Sequence, residues 1–268
     1  MGQSIQRGGG REVAGTADRP HSPAVNVTGI EQGSYFVGRL SSVLGGRDLL
    51  PYLGELHASA LPRRFEELVA DEPAFETKRF GSVWQLRLYR IWVYCLVRAL
   101  EPRVFVETGV LHGMTSAFVL EALERNGGDG RLISVDLPSY AETGPANVDG
   151  YQGTLPPGRE PGWIVPDELR DRWELRLGPS LDVLPGLLER EGEIDVFLHD
   201  SDHTYETMTG EFELAWPRLR AGGALIADDS TDNAAFADLC ARVGREPLLF
   251  PNPNEQPHDR LGAGLVLK

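Results

Sequence analysis

The sequence predicts a doubly wound α/β fold, a mostly parallel sheet with an antiparallel strand at its C-terminal edge, behind an N-terminal helical cap. After Pro102, short runs rich in β-branched and aliphatic residues fall at 104–106, 132–135, 173–177, 194–198 and 224–227. Amphipathic stretches at 115–125, 181–191 and 206–219 separate them, and this alternation is the sequence form of parallel strands joined by covering helices. Two last apolar runs, 247–250 and 261–267, flank a polar loop with prolines and read as a strand pair closing the sheet edge. With 268 residues and 41% hydrophobic content the chain fills one large core without needing a second.

Residues 1–29 are rich in Gly, Arg, Ser and Pro with little apolar periodicity, and are expected to be a disordered tail. Residues 30–82 hold short helical patterns punctuated by Pro51, Pro62 and Pro73, and are expected to form the cap. The domain proper is expected over 83–268, opening with a helix at 83–100 that stops before Pro102. Between 138 and 168 the chain is rich in Gly and Pro, too long for an ordinary connection, and so a candidate lid or substrate loop.

Charge and composition exclude more than they identify. Lys and Arg total 26 against 40 Asp and Glu, a formal charge of -14, so a phosphate backbone is repelled and nucleic acid is not an expected partner. Cys95 and Cys240 stand far apart among apolar residues, which supports neither a disulfide framework nor a cysteine zinc site. No apolar run has the length of a membrane span, and the first twenty residues lack the apolar core of a signal peptide. A cytoplasmic location without a membrane partner is the expectation.

The chemistry gathers at strand ends. The first strand runs into Glu107-Thr108-Gly109-Val110-Leu111-His112-Gly113-Met114-Thr115-Ser116, a glycine turn at the carboxyl edge where doubly wound sheets bind ligands. A dinucleotide fingerprint needs Gly-x-Gly-x-x-Gly, which disfavours a nicotinamide oxidoreductase. The spacing here is Gly-x-x-x-Gly behind an acid, which repels pyrophosphate but suits a ligand with ammonium and sulfonium groups. Asp136 ends the second strand, where an acid accepts ribose hydroxyls or simply meets solvent. Ser180 comes after the third strand, at the adenine edge or as a helix N-cap.

The fourth and fifth strands end in His199-Asp200-Ser201-Asp202-His203 and Asp228-Asp229. Several carboxylates in one cleft are either solvated at loop starts or call for a cation, and oxygen-rich ligands favour a hard ion, Mg²⁺ by default or else Mn²⁺ or Ca²⁺. Such an ion orients and activates a hydroxyl. His203 is a proton acceptor, or a histidine packed beside the acids.

These residues together resemble the class I S-adenosylmethionine-dependent methyltransferases, and among them the metal-dependent O-methyltransferases of small molecules, over about 83–268. Glu107-x-Gly109-x-x-x-Gly113-x-x-Ser116 is similar to that family's first motif, Asp136 to its ribose acid, and 178–185 to its third-strand segment. The resemblance implies a Rossmann-like sheet and S-adenosylmethionine bound by Glu107, Thr108, Gly109, Gly113, Ser116, Asp136, Ser180 and Asp200. It implies a divalent ion on Asp202, Asp228 and Asp229, with Asp200 the alternative to Asp202, and His203 or Asp200 as base. An Asp-Asn pair and a lysine base, common in catechol-type enzymes, are missing at those places, and 162–173 looks closer to antibiotic-tailoring and cephalosporin hydroxylase-like relatives. The expected acceptor is a hydroxyl of a small secondary metabolite and the expected assembly a homo-oligomer. The alternative is a cofactor-binding accessory subunit that transfers nothing.

Overall fold

Strands buried on both faces must lie in the middle of a covered sheet, because each presents apolar side chains to two layers of helix. A computed structural model, which describes residues 29–69, 88–138, 155–156, 158–251 and 262–268, has this arrangement. β1 (Val104–Thr108), β2 (Arg131–Asp136), β3 (Trp173–Leu177), β4 (Ile194–His199) and β5 (Leu219–Ala227) are parallel. β6 (Leu248–Pro251) and β7 (Gly262–Leu267) complete a seven-stranded sheet of order β3-β2-β1-β4-β5-β7-β6, in which β7 is antiparallel to both its neighbours. The strand order reverses at β1, so a crevice opens between the exits of β1 and β4.

Alternation along each strand sends side chains to two cores. Phe105, Leu132, Leu198 and Ile226 face one layer, made by α4 (Leu88–Leu100) and α5 (Met114–Asn126). Val106, Phe197 and Leu225 face the other, made by α6 (Ser180–Glu191), α7 (Tyr205–Arg218) and α8 (Ala235–Val243). Residues 91–97 of α4 are buried on every side, the pattern of a helix enclosed between layers. Its outer cover is α1 (Gly29–Val43), α2 (Leu50–His57) and α3 (Leu61–Val69), whose Phe36, Leu40, Leu53 and Phe65 join the same core. Glu55 of α2 accepts from the Tyr94 hydroxyl and from Nε of Arg98 at 2.8 Å, tying the cap to α4. Phe250 of β6 stacks on Trp92, with ring centroids 4.3 Å apart and planes 8° from parallel.

Some boundaries differ from the sequence reading. β5 begins at Leu219, because its first residues pair with Ile194 across a register shift before the ladder resumes at Val196 and Ala224. α8 gave no strong signal in the sequence; Ala234 is its N-cap, and Asn233 just before it accepts from the Ala235 N–H through Oδ1 at 2.8 Å. The N-terminal tail to residue 28, the start of the 83–100 helix before Leu88, and residues 139–154 of the candidate lid lie outside the described residues. The far end of the lid segment is packed down: Asp167–Arg172 forms a 3-10 turn, and Leu169 is buried.

Candidate active site

Register places the site. Val135, Thr108, His199 and Ala227 form one row across β2, β1, β4 and β5. The next residue of each strand is therefore Asp136, Gly109, Asp200 and Asp228, side by side along the carboxyl edge. Backbone bonds extend the ladder through this row: Gly109 N–H to Val135 O at 2.9 Å, Asp200 N–H to Thr108 O at 2.9 Å, and Asp228 N–H to His199 O at 2.8 Å.

On the β1–β2 side lies the glycine loop. Gly109 adopts φ +82°, and a Cβ there would lie 1.8 Å from the Asp200 carbonyl oxygen, so only glycine allows β1 and β4 to part this closely. Gly113, at φ +90°, abuts Gly162 and Val165, and a Cβ would lie 2.6 Å from the Gly162 Cα. Its space is taken by the 162–165 segment, whose Gly162 N–H reaches Leu111 O at 2.8 Å and whose Trp163 Nε1–H reaches Nδ1 of His112 at 2.9 Å. Burial holds the His112 imidazole down to about 4. Asp136 accepts from the N–H groups of Val110 at 3.1 Å and Leu111 at 2.8 Å, and so shapes the loop.

Glu107 is fully buried beneath this loop. Its Oε1 accepts from the hydroxyls of Ser116 and Ser134, the latter at 2.6 Å, while Oε2 has no partner among the described residues. Burial raises its carboxyl to about 7, against the two hydroxyl bonds that favour the anion. A buried acid with an open oxygen, an acid at the β2 exit and a close-packed glycine turn fit a nucleoside that carries an ammonium group. Thr108 and Ser180, expected at the cofactor, send their side chains elsewhere. The Thr108 hydroxyl donates to Glu211 at 2.6 Å on the opposite face of the sheet, and that of Ser180 also bonds Glu211. The expected N-cap at Ser180 is corrected: Pro179 occupies the cap of α6 and makes no side-chain cap bond.

On the β4–β5 side, ligand atoms of Asp200, His203 and Asp228 lie within 4.8 Å of one another. Burial, then the charge and hydrogen bond of Asp228, then Asp229, push the Asp200 carboxyl well above the usual carboxylate range, with Arg90 opposing them. Two carboxylates that repel in a half-buried cleft, with an imidazole beside them, are a donor set for a divalent ion. Asp229 adjoins this group, its Oδ2 3.9 Å from Nδ1 of His203, at a strained φ of +45°. Asp202 is not one of the three, and its Oδ1 is buried without a partner among the described residues. Its Oδ2 accepts from Thr204 and Thr207, both at 2.7 Å, while Thr204 caps α7 through the Thr207 N–H. Asp202 thus supports a helix start, and Asp200 holds the place in the acidic group.

Sequence reasoning missed three participants. Arg90 arrives from α4, distant in the chain and without a motif. His199 and Glu211 lie on the buried face, where Nδ1 of His199 is 2.7 Å from Oε2 of Glu211. No signal marked Glu211, since α7 also holds Glu206 and Glu213.

A mostly parallel sheet in this order, with acids and glycines meeting on the edge between β1 and β4, is the Rossmann-like fold of the class I, S-adenosylmethionine-dependent methyltransferases. Residues 106–230 match the family described as methyltransferase domain. No curated protein sequence matches the chain. Among solved structures, the calicheamicin methyltransferase CalS11 aligns at 20% identity over 83% of this chain and 97% of its own, with TM-score 0.51. The O-methyltransferase from Bacillus cereus bound to SAH aligns at 19% identity over 89% and 100%, with TM-score 0.47. TomG from Streptomyces achromogenes, an O-methyltransferase involved in tomaymycin synthesis, aligns at 16% over 90% and 99%, with TM-score 0.48. At this identity the likeness to CalS11 is one of fold alone. Among the described residues, no helix is long and apolar enough to cross a membrane.

Proposed function

We propose that the domain transfers the methyl group of S-adenosylmethionine to a hydroxyl of a small molecule, a secondary metabolite by its sequence resemblance, with a divalent ion orienting the acceptor. The observation that carries this reading is the single row of strand exits, with Glu107 and Asp136 on one side of the Gly109–Asp200 contact and Asp228 on the other. Glu107 and Asp136 would hold the ammonium and ribose of the cofactor, and the glycine loop would take its methionine chain. The acceptor oxygen attacks the methyl carbon, the carbon–sulfur bond breaks, S-adenosylhomocysteine leaves, and the hydroxyl proton passes to a base.

Asp200, His203 and Asp228 hold the ion, which when bound supplies charge that lowers the pKa of the acceptor hydroxyl. Two carboxylates with one imidazole suit Mn²⁺ as well as Mg²⁺. The alternative role of His203 is as proton acceptor with its ring free of the ion, the Asp229 carboxylate 3.9 Å from Nδ1 favouring the imidazolium that forms. An acidic surface keeps nucleic acid away, and the exposed Tyr35, Val43 and Leu50 of the first helices favour a homo-oligomer through the cap.

The test is methyl transfer from labelled cofactor to a panel of sugar, polyketide and phenolic hydroxyls, with EDTA and with Mg²⁺ or Mn²⁺ restored. Turnover that stops on chelation and returns with the ion, while S-adenosylhomocysteine binding persists throughout, is the expected result. Full turnover under chelation overturns the role of the ion. Binding of cofactor with no transfer to any hydroxyl favours the accessory subunit.

A further inference from the structure

Glu211 is a wholly buried carboxylate in the middle of α7, and the proposed methyl transfer does not use it. Its Oε2 accepts from the Thr108 hydroxyl at 2.6 Å and lies 2.7 Å from Nδ1 of His199; its Oε1 accepts from the Ser201 hydroxyl at 2.7 Å. The Ser180 hydroxyl reaches it as well. Burial works to raise its carboxyl, yet the His199 imidazole and these hydroxyls together hold it below the usual carboxylate range. A buried anion is a costly way to fill a core, and an apolar side chain of the same volume fills it better. The position of its partners offers the reason.

Thr108 is the residue before Gly109. His199 and Ser201 are the residues before and after Asp200. Glu211 therefore grips both flanks of Asp200 and the stem of the glycine loop from the far side of the sheet, at the point where Gly109 and Asp200 touch. Resting on the proposed ion site, we propose that Glu211 is a positioning residue: through Ser201 and His199 it aims the Asp200 carboxylate at the ion. The Nε2 of His199 has no partner among the described residues, and its ring meets that of His203 edge-on at 5.4 Å, so the same network backs a second member of the acidic group.

The experiment uses the full chain and Mn²⁺ alone as probe. Mn²⁺ affinity is read by electron paramagnetic resonance, S-adenosylhomocysteine affinity by calorimetry, and the melting temperature alongside. Ser201→Ala removes one partner of a buried anion, at a half-buried site. It is expected to weaken Mn²⁺ binding about 10–100-fold, the usual effect of losing the support of a ligand, with cofactor affinity unchanged and a modest fall in melting temperature. Ser201→Thr, which keeps the hydroxyl, is expected to restore Mn²⁺ affinity. Glu211→Gln should weaken Mn²⁺ binding at least as much as Ser201→Ala. Wild-type Mn²⁺ affinity in Ser201→Ala, or a fall in melting temperature alone, overturns the positioning role while the ion site stands. Absence of Mn²⁺ binding by the wild-type chain overturns the ion site itself and this inference with it.

Discussion

Glu107 shows how one residue links stability to the site. Its carboxyl is raised from 4.5 to about 7 by burial, so in the cofactor-free protein the protonated form is favoured on folding. A raised folded value means that the stabilising contribution is complete below 4.5 and is lost as pH rises through about 7. Glu107→Gln removes this dependence. Urea unfolding of both proteins from about pH 5 to about pH 8 should show the wild type losing up to about 3 kcal/mol more than the variant across that span. His112, held down to about 4, contributes the opposite slope below 6.5, but it is common to both proteins and drops out of the difference. The acids on the β4 side separate in the same way. Asp228→Ala should lower Mn²⁺ affinity by at least the roughly 10–100-fold that loss of an outer support costs. Asp202→Ala should leave that affinity intact and cost about 1 kcal/mol in thermal unfolding, since it loosens the start of α7.

At the scale of elements, the turn after β1 has the least tolerance. Gly109→Ala combines a backbone conformation that side chains disfavour with a methyl group driven into the Asp200 carbonyl. The two penalties together should cost about 3 kcal/mol or more, read as a fall in the urea midpoint and in S-adenosylhomocysteine affinity. This element was legible in the sequence because Glu107-x-Gly109-x-x-x-Gly113 is local: acid, turn and helix start succeed one another along the chain. Asp136 and Asp228 were legible for the same reason, each closing an apolar run. The partners of those residues were not. That Gly113 makes room for Gly162, that Thr108 and Ser180 converge on Glu211, and that the charge of Arg90 acts on Asp200 are consequences of packing between distant segments. Asp200 and Asp202 show the limit most plainly. Both are acids after the same strand, and only the Thr204 and Thr207 hydroxyls that occupy Asp202 set them apart.

At the scale of the molecule, the strands, the strand pair at the C-terminal edge and the helical cap were all readable from alternating apolar patterns, because those patterns record what must be buried. How the cap is held was not readable, since β6 meets it through distant contacts: the Phe250 ring, which stacks on Trp92 of α4 and touches Phe36, and the Leu249 carbonyl, which accepts from Arg39 at 2.7 Å. Phe250→Ala should cost about 3–5 kcal/mol in chemical denaturation, as a buried aromatic does, while leaving Mn²⁺ affinity unchanged.

The Gly109–Asp200 contact has one more implication. In the proposed reading, the loop that takes the nucleoside and the acid that takes the cation share a wall with no room for even one added carbon between them. Thermodynamic reciprocity then sets the terms of any exchange across it: whatever factor the cation adds to the nucleoside's binding constant, the nucleoside returns to the cation.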